Sequence, residues 1–274
     1  MEYHKDRFQD YSLLVFKGNT LIAVLPANRY DDTVVSHQGL TYGGLVLEEN
    51  IGVAKVEAIF LEIINYLKKD DIEVFRYKSI PLIYHKLPSF ELEPLLHTLS
   101  AVLYRREQNL AIDFRLPLNI HKTKIKHFKK NQELGFEIRK TKDFSLFWNK
   151  VLIPRLKEKH QAKPVHTLEE IQVLGNHFED NIYQYEIYLN EEILAGITIF
   201  KSGKVIKSQY GAITNNGEKY RALDYLYLHL ILKYKEAGFI YFDMGTVVGN
   251  TSLLKQKEEL GCYQYLQDFY ELKL

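Results

Sequence analysis

The sequence predicts an α/β (α+β) chain of two tandem domains, each a mixed central sheet flanked by helices. Three observations carry that prediction. A strand–helix–strand stretch occurs twice: Tyr42-Gly43-Gly44-Leu45-Val46 with Ile72-Glu73-Val74-Phe75, and Tyr210-Gly211-Ala212-Ile213-Thr214 with Ile240-Tyr241-Phe242-Asp243. The offset is 210 − 42 = 168 at the first strand and 240 − 72 = 168 at the second, as a duplicated unit requires. Helix-like and strand-like apolar periods then alternate along the chain. Finally, 274 residues with 46% hydrophobic and 26% charged content suffice for two soluble cores.

Leu13–Pro26 reads as two strands around Gly18-Asn19, a strong hairpin signal. In the first repeat, Val53, Val56, Ile59, Phe60, Ile63, Ile64 and Leu67 recur at helical spacing, and a strand follows over 72–77. Leu95–Tyr104 reads as a helix and Leu110–Arg115 as a strand. Pro117–His121 is the expected junction, giving domains 1–116 and 117–274. Beyond it come a basic helix 121–132, strand 136–139, helix 143–158, a loop at 160–166 and helix 168–177. Three strands follow at 182–189, 193–200 and 204–214, then helix 219–236 stopped by Gly238. Strand 239–244, helix 251–260 and strand 263–272 complete the order.

The formal net charge of +1 gives no global field toward nucleic acid or an anionic membrane. The N-terminus has no apolar segment of signal-peptide length, and no apolar run reaches a membrane span. Cys262 is the single cysteine, which excludes an intrachain disulfide and cysteine-based metal clusters and points to a reducing cytoplasm. Twenty tyrosines suit a half-wet sheet or a groove for a polar ligand such as a sugar.

Five segments carry a family resemblance: Ser36–Gly44, Lys159–Thr167, Ser208–Gly211, Ala222–Asp224 and Leu254–Glu258. With the element order, and over about residues 24–270, the chain resembles the GNAT superfamily of N-acyltransferases. Within it, it resembles the FemAB-like branch, where two such domains share one chain and members are linked to cell-surface polysaccharide synthesis. The resemblance implies transfer of an acyl group, acetyl first, from a coenzyme A thioester to an amino group of an amino sugar, with the donor site in the second domain and no metal. It leaves two alternatives open: an aminoacyl-tRNA donor with a peptidoglycan-precursor acceptor, and a non-catalytic sugar-nucleotide-binding protein of the same fold. A homodimer is also an expectation.

In such a fold a bulged strand offers N–H groups to the donor carbonyl, and the next loop wraps pyrophosphate. By position these are Gly211, Ala212 and Ile213, then Asn216, Gly217, Lys219 and Arg221. The loop departs from the family pattern, and Glu218 opposes phosphate. The catalytic candidates are His37, Tyr210, His166 and Lys257. His37 is read either as a base toward a sugar amine or as a loop histidine in a Gly turn. Tyr210 would protonate the leaving group, or pack as one more core tyrosine. His166 precedes a capping box, Thr167 with Glu170, which is read as structural. Lys257 best matches the family's functional lysine, and Lys255 is either its companion or a solvated residue. Tyr42, Gln38, His160, Lys163 and Gln209 complete the substrate-binding set. The run His121–Lys130 is read as a solvated helix face or a grip for a nucleotide-sugar diphosphate or tRNA.

Overall fold

The structure, a computed structural model, describes residues 5–49, 51–87 and 89–274, without the His160 side chain. Two compact units emerge: residues 1–108 with 265–274, and residues 109–264. This differs from the expected division at 116/117. The reason is the last strand, whose residues Phe269–Lys273 pair antiparallel with Lys78–Val74. In this division the C-terminal strand belongs with the first unit.

The first unit begins with β1 (Gln9–Asp10), β2 (Leu13–Lys17), β3 (Thr20–Leu25), β4 (Asn28–Tyr30), β5 (Thr33–Val35) and β6 (Val46–Leu47). Then come α1 (Val53–Lys69), β7 (Val74–Lys78), α2 (Leu92–Thr98) and β8 (Val102–Asp113), which leaves the unit at Gln108. The expected helix 95–104 is thus a shorter helix followed by a strand. β2 and β3 form the expected hairpin, with Gly18 at φ +59° as a tight turn needs. β5 lies parallel to β7, and α1 makes the crossover between them. One buried stripe of α1, Ile59, Phe60, Ile63, Ile64 and Leu67, packs into a core with Leu25, Val34 and Phe75.

The second unit contains α3 (Lys122–Asn131), β9 (Glu137–Thr141), α4 (Ser145–Phe147), a π-turn over Trp148–Leu152, α5 (Ile153–His160) and α6 (Leu168–His177). Its sheet continues with β10 (Ile182–Leu189), β11 (Glu192–Ser202) and β12 (Val205–Ile213). α7 (Asn215–Tyr220), α8 (Ala222–Glu236), β13 (Tyr241–Val247), α9 (Thr251–Glu259) and β14 (Tyr263–Lys273) follow, β14 passing back into the first unit. The strand order is β13-β12-β11-β10-β9. All neighbours are antiparallel except β12 and β13, which are parallel. One sheet face packs on α8 through Ile206, Leu226, Leu230 and Phe242, the other on Phe144, Phe147 and Trp148.

Each unit therefore holds a parallel strand–helix–strand crossover. The spacing survives in its later parts: α1 and α8 start 222 − 53 = 169 residues apart, β7 and β13 241 − 74 = 167. It fails in the first strand. The expected strand at Tyr42–Val46 is irregular up to Leu45, and only Val46 and Leu47 pair, with β3 in a second sheet. The physical reason is that Gly43 lies on the Ser36 carbonyl, where a Cβ would come within 1.5 Å of that oxygen, and Gly44 sits at φ +101°. The chain doubles back instead of extending.

We expect Gly43→Ala to destabilise the protein by about 2 kcal/mol or more, since backbone must move to admit the methyl. Thermal melting of the purified variant checks this, and an unchanged melting curve would contradict the contact.

Candidate active site

β12 and β13 begin as neighbours and then part. Among the described residues, parallel pairing covers Val205–Lys207 against Tyr241–Asp243, whereas the strands run on to Ile213 and Val247. On its other edge β12 carries a bulge. Thr198 faces Tyr210 and Ile199 faces Ser208, so Gln209 is the additional residue. The sequence thus builds a forked, bulged strand at the position expected for a donor carbonyl.

Side chains close the crotch of the fork. Lys207 Nζ donates to Asp243 Oδ2 at 3.0 Å, and Asp243 is fully buried. Asp243 Oδ1 accepts from the Gly245 N–H at 2.7 Å. Lys257, on α9 and also buried, donates to the Gly245 and Thr246 carbonyls at 3.1 and 3.3 Å. Burial pulls the Lys257 ammonium down to about 8; Lys207 pushes the same way, while Asp243 and Cys262 oppose. Burial also pushes the Cys262 thiol up to about 12, which makes it a poor nucleophile. From α8, Tyr227 Oη lies 3.0 Å from Ser208 Oγ, and a Cβ on Gly211 would come within 2.4 Å of that hydroxyl. Glycine at 211 is therefore a packing requirement.

The other face of β12 holds Tyr210. Its hydroxyl lies 2.7 Å from His166 Nδ1 and accepts from the His166 N–H at 3.2 Å. Its ring stands edge-on to Trp148, in the π-turn, with centroids 5.1 Å apart. Desolvation raises the Tyr210 pKa, and hydrogen bonds from His166 and Gln209 pull against it. Gln209 Oε1 and Trp148 Nε1 are buried without a hydrogen-bond partner. Such groups are rare in folded proteins, and here two flank one tyrosine. The capping box of α6 is present: Glu170 N–H to Thr167 Oγ1 at 3.2 Å and Thr167 N–H to Glu170 Oε2 at 2.8 Å. It fixes the chain just after His166.

The expected phosphate loop is largely helix. Thr214 caps α7, its Oγ1 accepting from Gly217 N–H at 3.0 Å, and Arg221 at φ +52° separates α7 from α8. The single helix expected over 219–236 is thus two. Gly217 is buried against the Leu194 carbonyl, which a Cβ would approach to 2.3 Å. Asn216 donates to Glu192, and Arg155 pairs with Glu218. Lys219 and Arg221 are exposed. A cavity of about 290 Å³ opens here, lined by Ile213, Glu218, Arg221, Leu223, Asp224 and Gln256.

Of the other expected residues, His37, Gln38 and Tyr42 belong to the first unit. His37 is buried, with Nδ1 accepting from Gly39 N–H at 3.0 Å. Gln38 exchanges two 2.8 Å hydrogen bonds with Asn28, and both line a cavity of about 200 Å³ with Arg7, Arg29 and Tyr30. Tyr42 bonds Tyr84 through their hydroxyls at 2.7 Å. Lys163 and Lys255 are exposed, and the His160 side chain lies outside the described residues. Among the described residues no three His, Cys, Asp or Glu side chains gather as metal ligands, and no helix is long and apolar enough to cross a membrane. Sequence reading missed Lys207 and Trp148. Lys207 left a signal, since a lone lysine in Val205–Ser208 and a lone aspartate in Tyr241–Met244 mark opposite charges in neighbouring strands.

Residues 119–254 match the family model described as an acetyltransferase (GNAT) domain. No curated protein matches. Among solved structures the chain is similar to FemX, with 10% identity, TM-score 0.73, and 100% of this chain and 90% of that one covered. It is similar to L-PGS from Bacillus licheniformis at 14% identity and TM-score 0.65, covering 97% and 84%. A tandem GNAT protein from the clavulanic acid biosynthesis pathway matches at 11% identity and TM-score 0.52, covering 96% and 82%.

Two outcomes test this geometry. Gly211→Ala should destabilise and Tyr227→Phe should relieve part of that loss, with a coupling of about 1–2 kcal/mol in a double-mutant cycle of denaturant melts. Lys257 releases its proton near pH 8 when folded and near 10.5 when unfolded, so stability rises once pH exceeds 8. Between pH 8 and 9 the gain should be about 1 kcal/mol, and absent from Lys257→Met. Above pH 9 the raised Cys262 pKa acts in the opposite direction, because the unfolded thiol ionises first.

Proposed function

From the match of residues 119–254 to a GNAT acetyltransferase domain and the likeness in fold to FemX, we propose that the chain is an acyltransferase that moves an aminoacyl group from an RNA-borne ester to a primary amine. The observation that carries this reading is the β12–β13 fork, bulged at Gln209 and flanked by the Tyr210–His166 pair. The donor carbonyl would lie against the β12 backbone at Gln209–Gly211, where N–H groups meet the developing oxyanion. The amine nitrogen attacks the carbonyl carbon, the C–N bond forms, and the C–O bond to the ribose breaks. His166 takes the amine proton, and Tyr210 returns one to the departing ribose oxygen. Lys257 and Lys207 supply positive charge at the fork.

The choice of donor rests on the loop. Thr214 and α7 already engage the Gly217 amide, Gly217 is consumed by packing, and Glu218 and Asp224 line the cavity. With the Gly217 amide already bonded to Thr214, a coenzyme A pyrophosphate would lose a helix N-terminal donor there, which disfavours the thioester donor. Likeness in fold to FemX and L-PGS supports the aminoacyl alternative. The acceptor to assay first is the amino sugar that the sequence suggests, in cell-surface polysaccharide synthesis, followed by a peptidoglycan precursor.

The test offers the purified protein labelled aminoacyl-tRNA or acyl-coenzyme A with each acceptor. Label should move from the RNA, and release of free thiol from acyl-coenzyme A instead would overturn the donor assignment. Tyr210→Phe should lower kcat about 10²-fold or more with KM little changed. A wild-type rate in that variant would remove Tyr210 from the chemistry.

A further inference from the structure

α3 leans on the segment lining the cavity of about 290 Å³ through one face and shows lysines on the other. Its inner face packs through Phe128, stacked on Tyr225 with centroids 4.7 Å apart. Asn131 Nδ2 donates to the Tyr220 carbonyl at 2.6 Å. Buried Lys124 pairs at 2.7 Å with Asp224, which lines the cavity. These contacts fix α3 beside the junction of α7 and α8. Its other face exposes Lys122, Lys126, Lys129 and Lys130.

Arg221, exposed at the cavity mouth, continues that face. The neighbourhood registers at His127, whose pKa is lowered by desolvation and by the charges of Arg221, Lys130 and Lys126, with Asp224 opposing. Among the described residues, none of these five exposed cations is in an ion pair, whereas the nearby carboxylates Asp224 and Glu218 are already paired with Lys124 and Arg155. The four lysines span about 12 Å of helix axis. That is long for a single pyrophosphate and suited to successive phosphates of a strand. Phe128 is turned inward, so the face offers charge without a stacking platform.

We propose that the exposed lysine face of α3, continued by Arg221, holds the phosphodiester backbone of the RNA that carries the donor ester. This rests on the RNA-borne donor proposed above. Contact with phosphates alone implies sequence-tolerant binding that weakens steeply with salt. Net charge does not announce such a surface, because the chain is near neutral overall and these lysines form a local cluster.

The experiment measures binding of a labelled short RNA hairpin with a single-stranded 3′ end, by fluorescence anisotropy across a salt series. In full-length protein, Lys126→Glu/Lys130→Glu should weaken binding at least tenfold near 0.1 M salt and flatten the log–log salt slope by about one to two units. Lys126→Gln/Lys130→Gln, a milder change should the first fold poorly, should flatten it in the same direction. Lys55→Glu/Lys68→Glu on α1 makes the same change in net charge in the other unit and should leave affinity and slope unaltered. Unchanged binding in both α3 variants, or equal loss in the α1 variant, overturns the proposal. Transfer from aminoacyl-tRNA with undiminished RNA binding in the α3 variants refutes the surface and leaves the reaction. RNA binding through α3 without any transfer from aminoacyl-tRNA refutes the reaction and leaves the surface.

Discussion

The site depends on side chains taking over backbone groups at the outer end of β13. Asp243 accepts the Gly245 N–H, and Lys257 donates to the Gly245 and Thr246 carbonyls. These groups therefore have partners without β12, and on the β13 side the strands can separate after three paired rows without stranding them. Gly245 at φ +77° breaks the extended conformation at the same place. The opening between strands follows from local hydrogen-bond supply, and the bulge at Gln209 turns β12 away on its other edge.

The same groups set the electrostatics. One buried carboxylate faces two lysines, so below pH 8 the crotch carries an excess positive charge held by surrounding protein. A buried ammonium is costly, and the burial that pulls Lys257 down records that cost. Strain of this kind is expected where developing negative charge is to be met by fixed dipoles and cations, and not where a core is built for stability alone.

Much of the architecture was legible because it is local. The capping box at Thr167 and Glu170 places the start of α6, and period-2 runs locate β10, β11 and β12 within a residue or two. What escaped is non-local. The fate of Tyr42–Leu45 turns on the contact of Gly43 with Ser36, and no periodicity reports it. The destination of β14 was hidden because alternation tells which face a residue takes and not which strand lies beside it. The break at Arg221 uses a left-handed residue without a glycine to announce it, and the π-turn at Trp148 is a one-residue irregularity in a pattern that still reads as a helix. Tyr210, His166 and Lys257 could each be named as candidates from resemblance; the hydrogen bond between Tyr210 and His166, and the pairing of Lys207 with Asp243, required coordinates.

The return of residues 265–274 to the first unit also makes its sheet depend on a distant contact. Arg76 and Glu271, ion-paired across the β7–β14 ladder, stand 195 residues apart in the chain. Closing so long a loop costs chain entropy before the ladder offsets any of it, so this pairing is expected to form late when the denatured protein refolds.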